Sequence, residues 1–149
     1  MPSQTGFVLV GALIGMAAGT GGFTFWYGRG ASYLTNDPAA CANCHIMQSQ
    51  YDGWLRSSHR TAATCNDCHT PHALPSKYLT KARNGFWHSF AFTTGRFLEP
   101  IAIKTVNLDI TERRCRECHA TIVQMIEGLA GAREPRGCVG CHGEVGHAR

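Results

Sequence analysis

All eight cysteines of the chain fall in four copies of one pattern, Cys-x-x-Cys-His. The copies are Cys41, Cys44 and His45; Cys65, Cys68 and His69; Cys115, Cys118 and His119; and Cys138, Cys141 and His142. Two thiols about one helical turn apart suit thioether bonds to the vinyl groups of a haem, and the adjoining histidine falls beneath the iron. Zinc is the rival use of Cys-x-x-Cys pairs. It does not call for a histidine directly after each pair, so four coincidences point instead to four covalently bound c-type haems. No cysteine is left over for a disulfide. The first copy differs from the rest in carrying Met47 two residues beyond its histidine. On spacing alone, Met47 is either a packing methionine or an iron ligand.

Four irons present eight axial positions. His45, His69, His119 and His142 supply four, and the other histidines are His59, His72, His88 and His147. His59, just before the second motif, and His147, just after the fourth, are candidate iron ligands. His72 follows His69 by three residues, too close to reach the far face of the same haem. No histidine lies between His119 and Cys138, so the second half of the chain is one ligand short locally. His88 stands open between iron ligand and proton-handling group, because an imidazole titrates near neutral pH.

The elements that must position these groups are few. The chain has 149 residues and a formal charge of +4. Haem propionates would absorb that basic excess, and nucleic-acid binding is not expected. With the first 27 residues set aside, roughly 30 residues remain per haem, too few for a conventional side-chain core. The haems must form the core themselves.

Phe7 to Tyr27 is free of charge and matches the ~20 residues that cross a bilayer as a helix. Phe23, Phe25, Trp26 and Tyr27 end it as an interfacial aromatic belt would. The stretch is too long for a cleaved signal sequence and no basic region precedes it. We expect a retained single-pass anchor over 1–28 and a haem domain over 29–149. Attachment of c-type haem takes place outside the cytoplasm, which puts that domain on the periplasmic side of the inner membrane. Gly11, Gly15 and Gly19 form a small-residue stripe suited to helix pairing or self-association within the lipid bilayer.

Motif starts at 41, 65, 115 and 138 give two close pairs around one long insertion. The expected fold is mainly α and loop-rich, with one transmembrane helix and a tetrahaem domain of two di-haem modules. Helical patterning in the insertion runs from Ser76 to Phe92 and ends at Thr93, Thr94 and Gly95. Lys77, Lys81, Asn84 and His88 share one face of it, with Tyr78, Ala82 and Phe86 on an adjacent face. From Thr70 through Leu98 there is no Asp or Glu.

The anchor, the four motifs, the Cys44-His-Ile-Met47 tail and the segment from Lys81 to Gly95 (KARNGFWHSFAFTTG) together resemble the NapC/NirT/NrfH family of membrane-bound quinol dehydrogenases. Within it, the short length and the Lys81–Gly95 segment are most similar to the NrfH branch, the small subunit of periplasmic cytochrome c nitrite reductase. The resemblance covers nearly the whole chain. It implies that Met47 ligates the first haem in place of His45, and that Lys81 lies at a pocket for menaquinol. It assigns His59 to the fourth haem and His147 to the second as distal ligands. It leaves the third haem to a lysine of the catalytic partner, a multihaem reductase docking there. Some relatives carry a carboxylate near position 84 or 88, where this chain has Asn84 and His88. His88 then either ligates the first iron or takes the proton role. Two alternatives accompany this reading: a tethered electron shuttle without a quinol site, and the equivalent subunit for a nitrate or N-/S-oxide reductase.

Overall fold

The computed structural model describes residues 3–130 and 137–147, and every regular element among them is helical. The chain divides into two compact units, Met1–Thr35 and Asn36–Arg149.

The first unit is dominated by α1 (Gln4–Tyr27). Ser3 caps it, its hydroxyl accepting from the Gly6 N–H, and its 24 residues span about 36 Å at 1.5 Å each. It is long and apolar enough to cross a membrane, and none of it is buried in protein. Gly28 closes it, Arg29 turns through the left-handed region at φ 51°, and a 3-10 helix follows over Gly30–Leu34. A Cβ at position 30 would meet the Phe25 ring at 2.4 Å, so Gly30 lets that ring lie close against the backbone.

The second unit holds all four motifs. It begins with short 3-10 helices at Pro38–Asn43 and His45–Met47. Then come α2 (Gln48–Arg56), α3 (Cys65–His69) and α4 (Leu74–Thr94). The last three are α5 (Thr105–Cys118), α6 (Ala120–Ala130) and α7 (Cys138–Cys141). The helix expected over 76–92 is α4, longer by a turn's fraction at each end. Pro75 in its first turn is tolerated where no amide partner exists, and Gly95 at φ 65° caps its C-terminus in the left-handed conformation.

Among the described residues no apolar side chain is fully buried; the buried polar ones are Thr70, Lys81 and Arg114. A polypeptide that buries polar hinges and leaves its apolar side chains on the rim is built around something other than its own side chains. Spacing pairs the motifs one with two and three with four, yet α3, bearing the second, packs on α5, which runs into the third.

Candidate functional site

The second, third and fourth motifs share one local design. Each places both cysteines on an α-helical turn with the histidine at or just past its end. The His119 and His142 amides donate to the carbonyls of Cys115 and Cys138 at 2.9 and 2.8 Å. The first motif breaks that design. Cys41 lies in one 3-10 helix, Cys44 is extended (φ −87°, ψ 112°), and His45 opens a second. The amide that bonds back across this turn belongs to Met47, which donates to the Cys44 carbonyl at 2.8 Å. His45 is exposed and Met47 half-buried.

Histidine rings meet in pairs across the fold. His69 and His147 stack with centroids 5.9 Å apart and planes at 25°. His59 and His119 lie 6.0 Å apart at 75°. Two metal–nitrogen bonds of about 2 Å each, with the ring radii added, give a spacing of about 6 Å. His147 and His59 are both oriented through Nδ1. His147 donates from it to the Gln50 carbonyl at 3.0 Å, and His59 to the Val145 carbonyl at 3.2 Å. A carbonyl only accepts, so each bond puts a hydrogen on Nδ1, and an Nδ1–H held by a backbone carbonyl is the usual way a metal-ligating histidine is oriented. Burial, and then the His147 charge, pull the His69 pKa down to about 4, so its ring is neutral at neutral pH. Paired rings, eight free cysteines and a fold without an apolar side-chain core fit covalently bound haem.

His59 therefore stands between the third and fourth motifs. Its ring faces His119, and its Nδ1 partner, Val145, itself donates to the His142 carbonyl at 3.3 Å. His72 sits in a different setting, 3.6 Å from Asp67 and in contact with the Arg114 guanidinium.

Arg114 is a feature that sequence reading did not single out. It is 4% exposed, donates from Nε to the Asp67 carbonyl at 3.0 Å, and pairs with Glu117. Asp67 and Glu117 occupy the same place in the second and third motifs, so one guanidinium ties the two attachment turns together. Asp67 also accepts from the Thr64 amide and hydroxyl at 2.8 and 2.7 Å. Burial works to raise its pKa, but these bonds and the nearby His72 and Lys77 charges leave it lowered. Glu112 does similar work for the fourth motif, accepting from the amides of Cys138 at 2.6 Å and Val139 at 2.8 Å. The visible signals were a repeated acid at the third position of Cys-x-x-Cys, Asp67 and Glu117, and an arginine beside Cys115.

Lys81 is 5% exposed, on the inward face of α4. Burial, and next the Lys77 charge, lower its pKa, while the negative Cys41 side chain opposes them. As free thiols, Cys41 and Cys65 share a hydrogen bond. That bond, reinforced by Lys81 and opposed by burial, brings Cys41 down to about 7. Lys81 and the first cysteines of motifs one and two thus form one cluster. One turn and two turns further along α4, Asn84 and His88 line a cleft of about 620 Å³ with Arg83, Trp87, Lys104 and Asn107. Asn107 donates to the Asn84 side chain at 3.3 Å. His88 lies at the rim; surrounding protein first, and the Lys104 charge second, hold its pKa below the ordinary imidazole value. The cleft falls in the size range of small-molecule sites.

Comparison with known proteins supplies the remaining evidence. Residues 1–149 match the model of the NapC/NirT cytochrome c family, N-terminal region. The chain is 33% identical to the cytochrome c-type protein NrfH of Wolinella succinogenes, covering 99% of this chain and 90% of that one. It is 30% identical to the cytochrome c nitrite reductase subunit NrfH of Nitratidesulfovibrio vulgaris, over 99% and 87%. A crystal structure of the cytochrome c nitrite reductase NrfHA complex bound to the HQNO inhibitor contains a chain that superposes with a TM-score of 0.63. That match has 29% identity and covers 93% of this chain and 88% of the other.

Proposed function

The chain belongs to the NapC/NirT cytochrome c family, and from that premise we propose that it is a membrane-anchored quinol dehydrogenase. In this reading it oxidises menaquinol at the face of α4 and passes the electrons through four haems to a periplasmic cytochrome c nitrite reductase. The observation that carries the electron-entry site is Lys81, 5% exposed on the inward face of α4, in a unit whose first motif is the one broken before its histidine. The partner rests on the two NrfH relatives and on the complex in which the similar chain occurs.

The eight cysteines hold the haems, which supply one-electron acceptors when bound. In this reading His69 with His147, and His119 with His59, would hold iron between rings 5.9 and 6.0 Å apart, and Met47 would serve the first haem in place of His45. The resemblance instead gives His59 to the fourth haem; its position between His119 and the Val145–His142 turn leaves both assignments within reach of one ring.

A quinol releases two protons with its two electrons, so its site needs a hydrogen-bond donor and a proton acceptor. Lys81, buried on the inward face of α4, donates to a quinol oxygen. His88, neutral at working pH because its pKa is lowered, accepts a proton at the cleft rim. The neighbouring Lys104 charge favours the neutral ring and speeds return of that proton to solvent.

Gentle detergent extraction and identification of what co-purifies tests the partner. A multihaem protein that reduces nitrite supports it; a nitrate or N-oxide reductase redirects the assignment within the family.

A further inference from the structure

The polarity of α4 is inverted. Lys81 on its inward face is 5% exposed, whereas Leu79, Phe86 and Phe90 are 71%, 63% and 41% exposed. With Ala82, which is also exposed, these residues fall at intervals of three, four and four and make one outward stripe. Phe86 and Phe90 stack along it at 6.4 Å, and Trp87 packs edge-on to both, at 5.3 and 5.8 Å. Across the Gly95 cap, Phe92 of α4 and Phe97 stack at 4.7 Å and Leu98 is 79% exposed, so the apolar surface continues past the helix end.

A surface helix in water buries its apolar stripe and shows its charges. This helix buries Lys81 and shows its apolar stripe, over a surface too extended to be scattered exposure. The charges beside the stripe identify what covers it. Arg83 and Arg96 are exposed, and no Asp or Glu occurs between Thr70 and Leu98; Glu99 is the first. Aromatic rings with arginines and no acids along a helix are the composition of an interfacial membrane helix. Cationic side chains at that depth favour anionic lipid headgroups.

We propose that the Leu79–Phe86–Phe90 stripe of α4, with the aromatic segment after it, lies in the interfacial layer of the bilayer as a second membrane contact, held there by Arg83 and Arg96 on anionic phospholipid headgroups. This rests on α1 crossing the membrane and does not depend on quinol chemistry. The covalent tether to α1 keeps a bilayer within reach whatever the arrangement of the two units. Trp87 both borders the stripe and lines the cleft, so the contact sets the cleft mouth at the level of the lipid headgroups.

The test uses the full haem-loaded protein in nanodiscs containing a phospholipid with a photoactivatable acyl chain, followed by mass-spectrometric mapping of adducts. The expected map has adducts in Leu79–Leu98 as well as in Gln4–Tyr27, with a higher yield in the former when phosphatidylglycerol replaces part of the phosphatidylcholine. Adducts confined to Gln4–Tyr27 overturn the proposal and leave the anchor standing. Absence of adducts from both stretches overturns the anchor as well. Phe86→Glu with Phe90→Glu, at unchanged haem content by visible spectrum, is expected to lose the Leu79–Leu98 adducts. Their persistence would place the contact elsewhere and refute the stripe.

Discussion

The ring of His147 stacks on that of His69 at 5.9 Å, and the Gln50 carbonyl holds its Nδ1. Two residues 78 positions apart in sequence thus face each other. His147→Ala is expected to leave one of the four haems without its distal ligand. The check is a high-spin signal in the electron paramagnetic resonance spectrum that exceeds that of the parent protein by about a quarter of the haem. An unchanged low-spin spectrum would remove His147 from the ligand set.

Arg114 ties the second motif to the third through a backbone carbonyl and a carboxylate. Arg114→Leu removes the donor to the Asp67 carbonyl in a part-buried setting and leaves Glu117 without its partner, a loss of about 1 kcal/mol or somewhat more. Arg114→Lys recovers only part of this, because an ammonium lacks the planar fork that serves Asp67, Glu117 and His72 together. Thermal unfolding of the haem-loaded variants measures it.

At the first motif, the extended Cys44 removes His45 from the turn that the other attachment histidines share. Met47→Leu is expected to change the first-haem bands in visible and magnetic circular dichroism spectra, and His45→Leu to leave them in place. The opposite pattern would return the first haem to histidine ligation.

The motifs, the apolar anchor and the helix of the insertion were legible because each is a local pattern of a few residues. The break between Cys44 and His45 was not, since it lies in two backbone dihedrals within a motif identical in letters to its neighbours. Nor was the role of Arg114, which depends on α3 packing against α5 across 47 residues. His59 faces His119 across 60 positions, and no spacing rule within one motif pair reports such a meeting. The inverted face of α4 was half visible. Lys77, Lys81, Asn84 and His88 aligned by periodicity, but periodicity does not say which face turns inward.

His88 carries a pH dependence. Its lowered pKa means that the ring is neutral above the ordinary imidazole value and takes a proton only as pH falls below it. Quinol-driven haem reduction should therefore fall on acidification with a midpoint below ~6.5, and His88→Gln should flatten that limb. Lys104→Gln, by removing a like charge, should move the midpoint upward. Rates followed by stopped flow across pH 5–8, about the range in which histidine titrates, check both.

The central claim is that electrons enter from quinol beside Lys81. The direct measurement is the rate of haem reduction by a soluble menaquinol analogue in the purified protein, comparing the parent with Lys81→Leu at equal haem content and equal reduction by dithionite. The account predicts rapid reduction of the parent, blocked by a quinone-analogue inhibitor, and a loss of about 10²-fold or more in the variant, the scale of a positioned catalytic group. Equal rates for the two, or a parent protein that quinol does not reduce, would contradict it.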